Sequence, residues 1–369
     1  MALRQDTLTD PRPVLVVGPH SVHVRRFVAG LCNAGRDVVL VTNASEPLLS
    51  HERLREQIHL SLRVLAWRTP QRLRELIERW RPTVVHVHQA DATAWHAVRA
   101  ARPTGVPVVL TLWGSDVLSL PHRGWWQRAM VRHALRGAAA WTADAKVLLR
   151  AAQAVAGADA PPWREWIPLG IDEPPDLGTV ARERRILSCR LHKPLYRIDA
   201  IVDAFARLPP ACDGWILEVA ADGPERAALE RRAAALGLGA RVEFSGLLAP
   251  EALARAYRRS AVFVSVPVSD GTSVSLLEAM AAGCLPVLSD LPANREWVQD
   301  GRDGLLVAGL DGLTAALERA IGWWQSGRWD AEGRPRNERR VEEHALLARN
   351  VGQFRALYAR VAPPARGPA

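Results

Sequence analysis

Apolar positions along the chain fall into short unbroken runs, and the runs alternate with helical stretches. PVLVVG at 13–18 reads as a buried parallel strand. Ser21 caps a helix that runs through Ala34, Gly35 stops it, and DVVLVT at 37–42 is the next strand. The pattern recurs with PTVVHVH at 82–88, VPVVLTL at 106–112 and AAAWTAD at 138–144. After the proline-rich segment PLGIDEPPDLG at 168–178 a second series begins: RRILSCR, GWILEVAADG, ARVEFSG, AVFVSVP, CLPVLSD and GLLVAG. Helical stretches such as PERAALERRAAALGL and EALARAYRRS separate its members.

Strands alternating with helices predict an α/β fold of two doubly wound, Rossmann-like parallel-sheet domains. The expected domains are 1–172 and 173–345, joined by the proline-rich hinge. One long amphipathic helix over 336–361 is expected to pack back towards the first domain, and 362–369 reads as a disordered tail. Facing sheets of this kind place ligands beyond the carboxyl ends of their strands, so motifs at strand ends carry the chemistry.

The length of 369 residues exceeds one ordinary core, consistent with two domains. No apolar run is long enough to span a bilayer, and MALRQDTLTD lacks the apolar core of a signal peptide. Cys32, Cys189, Cys212 and Cys284 lie far apart with no Cys-x-x-Cys pair, which favours reduced thiols and a cytoplasmic location. Net charge is +9, and all but Lys146 and Lys193 of the 48 basic residues are arginine. Arginine suits phosphate, but a GC-rich genome accounts for the same bias, and the scattered basic residues form no nucleic-acid module.

The stretch SDGTSVSLLEAM at 269–280 sits between two apolar runs. Read as a strand-to-helix turn, it exposes the amides of Thr272, Ser273 and Val274 at a helix start, a ready anion site. Gly271 and the small Ser273 let a phosphate approach. Glu278, about one and a half turns in, is placed to accept hydrogen bonds from vicinal hydroxyls such as a ribose, with Asp270 nearer the reacting centre. Taken singly, a turn at Asp270, a helix cap at Thr272 or Ser273 and an arginine partner for Glu278 account for each residue. Their joint placement at a strand end points to a nucleotide site.

These residues resemble the donor half of retaining glycosyltransferases of the GT-B fold, family 4 (group 1). That family carries two glutamates with seven residues between them before AMAxG; here Asp270 and Glu278 take those places before Ala279-Met280-Ala281-Ala282-Gly283. VAADGPERAAL, RVEFSG, LPVLSDLPANREWVQDG and GLLV continue the likeness, as do VHVH and TLWGSD in the first half. The resemblance implies that Glu278 binds donor ribose, Ser273 and Val274 amides hold the diphosphate, Asp270 meets the donor sugar and Arg190 neutralises the diphosphate. It departs from the family in three places. The first glutamate is Asp270; the usual Lys-Gly is absent, leaving Lys193 or Arg197; and Trp113-Gly114 replaces His-Gly, with Asp116 taking a polar role.

The implied activity is transfer of a hexosyl unit from a UDP- or GDP-sugar to an envelope polysaccharide, lipopolysaccharide or lipid-linked oligosaccharide. A sugar-nucleotide epimerase and a non-catalytic sugar-nucleotide-binding protein are the alternatives. No Asp-x-Asp occurs, so no metal or other cofactor is expected. In the first half Gly18 opens a strand-to-helix turn and permits tight approach of the donor, His20 or His23 is a candidate to reach phosphate or acceptor, and His88 is an acceptor-side candidate. His86 and His88 share one face, where packing or acceptor contact is favoured over metal. Residues 122–137 align Arg128, Arg132 and Arg136 opposite Trp126, Ala129, Met130 and Ala134. Such a helix suits either an ordinary core face or the anionic inner surface of the cytoplasmic membrane.

Overall fold

A computed structural model describes residues 10–362; of the tail expected at 362–369 only Ala362 is described, and it is buried, while 363–369 lie outside the described residues. The chain divides into two units, one comprising 1–169 and 347–369 and the other 170–346, against the expected breaks after 172 and 345. In the first unit β1 (Val14–Val17), β2 (Val38–Thr42), β3 (Leu54–His59), β4 (Val85–His88), β5 (Val108–Leu112), β6 (Ala140–Ala143) and β7 (Trp163–Trp166) build one sheet. All its pairs are parallel, in the order β3-β2-β1-β4-β5-β6-β7. Every residue of β1, β2, β4, β5 and β6 is buried, which is why they were readable as apolar runs. The sequence reading missed β3 (LREQIH) and β7 (WREW), because edge strands are half solvated and tolerate charge.

Between these strands run α1 (Val22–Asn33), α2 (Thr69–Trp80), α3 (Ala92–Ala101), α4 (Ser115–Leu118), α5 (Trp125–Gly137) and α6 (Lys146–Ala156). Ser21 caps α1 through its hydroxyl, which accepts from the Val24 amide.

The second unit has β8 (Glu183–Ser188), β9 (Ile216–Ala220), β10 (Val242–Gly246), β11 (Ser260–Ser265), β12 (Leu285–Ser289) and β13 (Leu305–Val307). They form a second all-parallel sheet, ordered β10-β9-β8-β11-β12-β13. Its helices are α7 (Ile198–Ala206), α8 (Arg226–Ala235), α9 (Pro250–Arg259), α10 (Val274–Ala281), α11 (Leu313–Gln325) and α12 (Arg334–His344).

The expected long C-terminal helix is two helices. α12 ends at His344, and α13 (Leu347–Val361) starts anew and belongs to the first unit. The Ala345 carbonyl, which a continuing helix would bond internally, instead accepts from the Ile171 amide at 2.7 Å.

In the first unit α13 closes the core with Val351, Phe354, Leu357 and Tyr358 against β1, β2 and α1. A polar thread crosses that core: Tyr358 Oη lies 2.5 Å from His86 Nδ1, His86 Nε2 lies 2.6 Å from Thr111 Oγ1, and Thr111 meets Thr142. His86 stacks on His88, and both rings pack against Phe27. Burial holds the His86 imidazole well below its ordinary pKa and pushes His88 down to about 3. Both are therefore neutral in the fold but able to protonate when unfolded. Below about pH 6.5 the unfolded chain binds more protons than the native one, so stability must fall with pH from there towards 3. For His88 the loss between pH 6.5 and 5 should be about 1.6 kcal/mol, and His86 acts in the same direction. Urea unfolding at the two pH values should show this loss, and His88→Asn should lose correspondingly less than wild type.

Candidate functional site

Each sheet reverses its strand order once, between β1 and β4 in one unit and between β8 and β11 in the other. At such a point the two following loops part to opposite faces and leave a crevice at the carboxyl edge.

In the second unit the crevice collects the predicted residues. Arg190 follows β8, while Asp270 and the start of α10 follow β11. Arg190 Nη2 donates to Asp270 Oδ2 at 2.7 Å, and Nη1 donates to the hydroxyls of Ser273 and, at 3.1 Å, Ser275. Its guanidinium lies 4.4 Å over the Tyr196 ring. Burial opposes the arginine charge, but Asp270 and Tyr196 outweigh it and raise the pKa above its ordinary value. Burial pushes the Asp270 carboxyl up, with Arg190 pulling against it.

Ser273 is the N-cap of α10, but its hydroxyl serves Arg190 and Ser275 and caps nothing. The first bonds of α10 run from Leu276 and Leu277 to the Ser273 carbonyl, so the Val274 and Ser275 amides precede the hydrogen-bonded ladder. Val274 and Glu278 share the partly open face of α10, whereas Leu276, Leu277, Ala279 and Met280 are buried. Glu278 Oε2 accepts from Tyr257 Oη at 3.0 Å.

Two sequence readings change here. Arg197 is engaged with the β11 loop, donating to the Val266 and Pro267 carbonyls at 2.7 and 2.9 Å. Lys193, the other candidate, is exposed. Thr272 Oγ1 accepts from the buried Trp297 indole at 2.9 Å, so this hydroxyl fastens the loop to the core.

In the first unit Gly18 gives its space to the protein, not to a ligand. A Cβ there would sit 2.9 Å from Val24 and 3.2 Å from His88. His88 is buried, and its Nδ1 accepts from Trp113 Nε1 at 3.2 Å, which places its proton on Nε2. His20 stands exposed on the β1–α1 turn, whose backbone is tied by the Asn43 side chain accepting the His20 amide at 2.7 Å.

Asp116, given above a polar role where the family has His-Gly, is buried and accepts from the amides of Ala90, Trp113 and Gly114. It staples the loops after β4 and β5, where Gly114 at φ 119 makes the turn. Its role is to position those loops.

The basic stripe of α5 also resolves differently. Arg132 and Arg136 donate to the Val155 and Ala156 carbonyls and so satisfy the end of α6. Met130 and Ala134 are buried, while Trp126, expected beside them, is exposed together with Trp125 and Arg128. Tyr257, Ser275 and Cys189 were not singled out by sequence, because their partners lie far away along the chain. A surface cavity of about 530 Å³ opens at the amino-terminal end of β5, lined by Arg102, Val106 and His133, away from both crevices.

Comparison with known proteins bears on the two domains and their fold. Residues 14–144 match the glycosyl transferase 4-like family, and 183–323 match the glycosyl transferases group 1. The chain thus carries a glycosyl transferase 4-like domain followed by a glycosyl transferases group 1 domain, and its fold is GT-B. An exopolysaccharide phosphotransferase of Streptomyces coelicolor is 32% identical over 150 residues, covering 39% of this chain and 15% of that protein. The alpha-monoglucosyldiacylglycerol synthase of Streptococcus pneumoniae is 29% identical over 145 residues, 39% of this chain and 33% of that one. These matches span a third or less of the relatives' own length.

Among solved structures, Anabaena HepE in complex with UDP aligns over 94% of this chain and 100% of its own, with TM-score 0.78 and 15% identity. Sucrose-phosphate synthase from Thermosynechococcus elongatus gives TM-score 0.78 over 95% of this chain and 99% of that one, at 19% identity. WaaG, a glycosyltransferase involved in lipopolysaccharide biosynthesis, gives 0.67 over 94% and 99%, at 13% identity.

Thr272→Val should leave the Trp297 indole buried without its acceptor and cost about 1–3 kcal/mol. A drop in the urea midpoint, largely restored in Thr272→Ser, is the expected result.

Proposed function

We propose that the protein is a retaining glycosyltransferase that moves a sugar from a nucleoside diphosphate sugar to an envelope glycan or lipid-linked acceptor. One observation carries this reading: Arg190 is held by hydroxyls at the start of α10, while Glu278 shares that helix's open face. A guanidinium and forward-pointing amides suit a diphosphate, and a carboxylate one turn further on suits the adjoining ribose. HepE, which has the same fold, was crystallised with UDP and with UDP-glucose, which supports a uridine donor.

In the proposed reaction the diphosphate departs as positive charge grows on the anomeric carbon. Arg190 and the Ser273 and Val274 amides, already fixed by the fold, stabilise the leaving charge without reorganising. Asp270, paired with Arg190, meets hydroxyls of the donor sugar. The acceptor attacks the same face, and the leaving phosphate takes its proton. With Arg190 and the helix amides neutralising the diphosphate, the reaction needs no metal.

We place the protein in the cytoplasm, on the inner face of the membrane. All four cysteines are free thiols, and no helix among the described residues is long and apolar enough to cross a bilayer. Contact with anionic lipid is supported by Trp125 and Trp126, 82% and 44% exposed at the start of α5 beside the exposed Arg123 and Arg128. The β3–α2 loop adds Leu65 and Trp67, 87% and 76% exposed. Both segments flank α3, through Trp95 against Trp126 and His96 Nε2 on the Arg63 carbonyl. Tryptophans with arginines beside them suit the interface of an anionic bilayer.

Titration calorimetry with UDP and GDP tests the donor site: Glu278→Ala should weaken binding of the accepted nucleotide about tenfold or more. Unchanged affinity removes the site. Incubation with the bound donor alone separates the alternatives: an epimerase releases altered sugar nucleotide, and a transferase gives at most slow hydrolysis. For the membrane, the protein should sediment with phosphatidylglycerol vesicles at low salt, and Trp125→Ser/Trp126→Ser should remain in the supernatant.

A further inference from the structure

Tyr257 sits in the last turn of α9, buried, its ring tilted against Phe263 of β11. Its hydroxyl touches two groups at once: Glu278 Oε2 at 3.0 Å and Cys189 Sγ at 3.1 Å. Its carbonyl accepts from Cys284 Sγ at 3.0 Å, which pins the backbone as well. A phenol has one proton. A carboxylate is the stronger acceptor, so that proton goes to Glu278, and the Cys189 thiol must then donate to the phenol oxygen. The direction of the chain is therefore Cys189 S–H to Tyr257 O–H to the Glu278 carboxylate. Burial pushes the Cys189 thiol up to about 12 and the Tyr257 hydroxyl well above its ordinary range, so both links keep their protons at neutral pH.

A glutamate carboxyl turns easily about its last torsion, which is broad and roughly two-fold. A hydrogen bond from a rigid buried ring removes that freedom and fixes the plane in which the carboxylate accepts. Two vicinal hydroxyls bind such a fixed plane together, and an analogue lacking one of them leaves part of the carboxylate's charge unmatched.

We propose that Tyr257, backed by Cys189, is a positioning residue that orients Glu278 for a vicinal diol and so makes the site select ribose over 2′-deoxyribose. This rests on the donor-site reading given above.

The experiment is calorimetric titration of UDP, 2′-deoxy-UDP and inorganic pyrophosphate, or the guanosine pair if GDP is the nucleotide bound. Wild type should prefer the ribonucleotide by about tenfold. Tyr257→Phe keeps the ring and removes the donor. It should lose about tenfold in UDP affinity with little change for 2′-deoxy-UDP and none for pyrophosphate, bringing the ratio towards one. A wild-type ratio in Tyr257→Phe, with Glu278→Ala still weakened, overturns the proposal and leaves the donor site standing. Full affinity in Glu278→Ala removes the donor site and the proposal together. If Tyr257→Phe does not fold, Cys189→Ala carries the test. Its ratio should fall several-fold, with Cys189→Ser retaining it, and an unchanged ratio in Cys189→Ala overturns the proposal.

Discussion

The guanidinium of Arg190 is the joint on which the candidate site depends. It leaves the carboxyl end of β8 and binds three groups that follow β11: the Asp270 carboxylate and the hydroxyls of Ser273 and Ser275. Those bonds bring the two diverging loops of a topological switch point into one fixed arrangement. They also set which way the first amides of α10 face, because the N-cap hydroxyl that would ordinarily turn inward is held by arginine instead. A charge held in place before a ligand arrives is what makes an anion site preorganised. Arg197 reinforces the same join through the Val266 and Pro267 carbonyls.

The first unit solves a similar problem with buried neutral groups. Asp116 gathers three loop amides, and His86 and His88 stack beneath the strand ends, locked by Tyr358 and Trp113. These polar groups are deep, and apart from His88 Nε2 they find partners from separated segments. The returning helix α13 is one of them. It is bound to the first unit by apolar contact and by the Tyr358 hydroxyl on His86.

The arginine excess is used mainly as a set of hydrogen-bond donors. Arg36 reaches the carbonyls of Asp10 and Arg12 and the Thr83 hydroxyl; Arg182 reaches the Ser260 and Ala282 carbonyls; Arg259 pairs with the buried Glu218. A planar group with five donors can close several open carbonyls at once, which lysine cannot do. A net charge of +9 is thus compatible with a protein many of whose arginines pair with its own carboxylates and carbonyls.

The sequence by itself determined the alternation of strands and helices, the two-unit plan and the strand-to-helix turn within 269–280. Central strands of parallel sheets are apolar on both faces, and a strand-to-helix turn carries its own signature. The edge strands β3 and β7 were hidden because solvated edges need no apolar run. The break between α12 and α13 was hidden because its cause is the Ile171 amide, far away in the chain. Only the tertiary structure decided that Asp116 staples loops, that Arg197 holds carbonyls, that Gly18 makes room for His88 and that Tyr257 holds Glu278. Residue type announces what a side chain is able to bind. Which partner it finds depends on the packing of distant segments, and that is settled only when the chain folds.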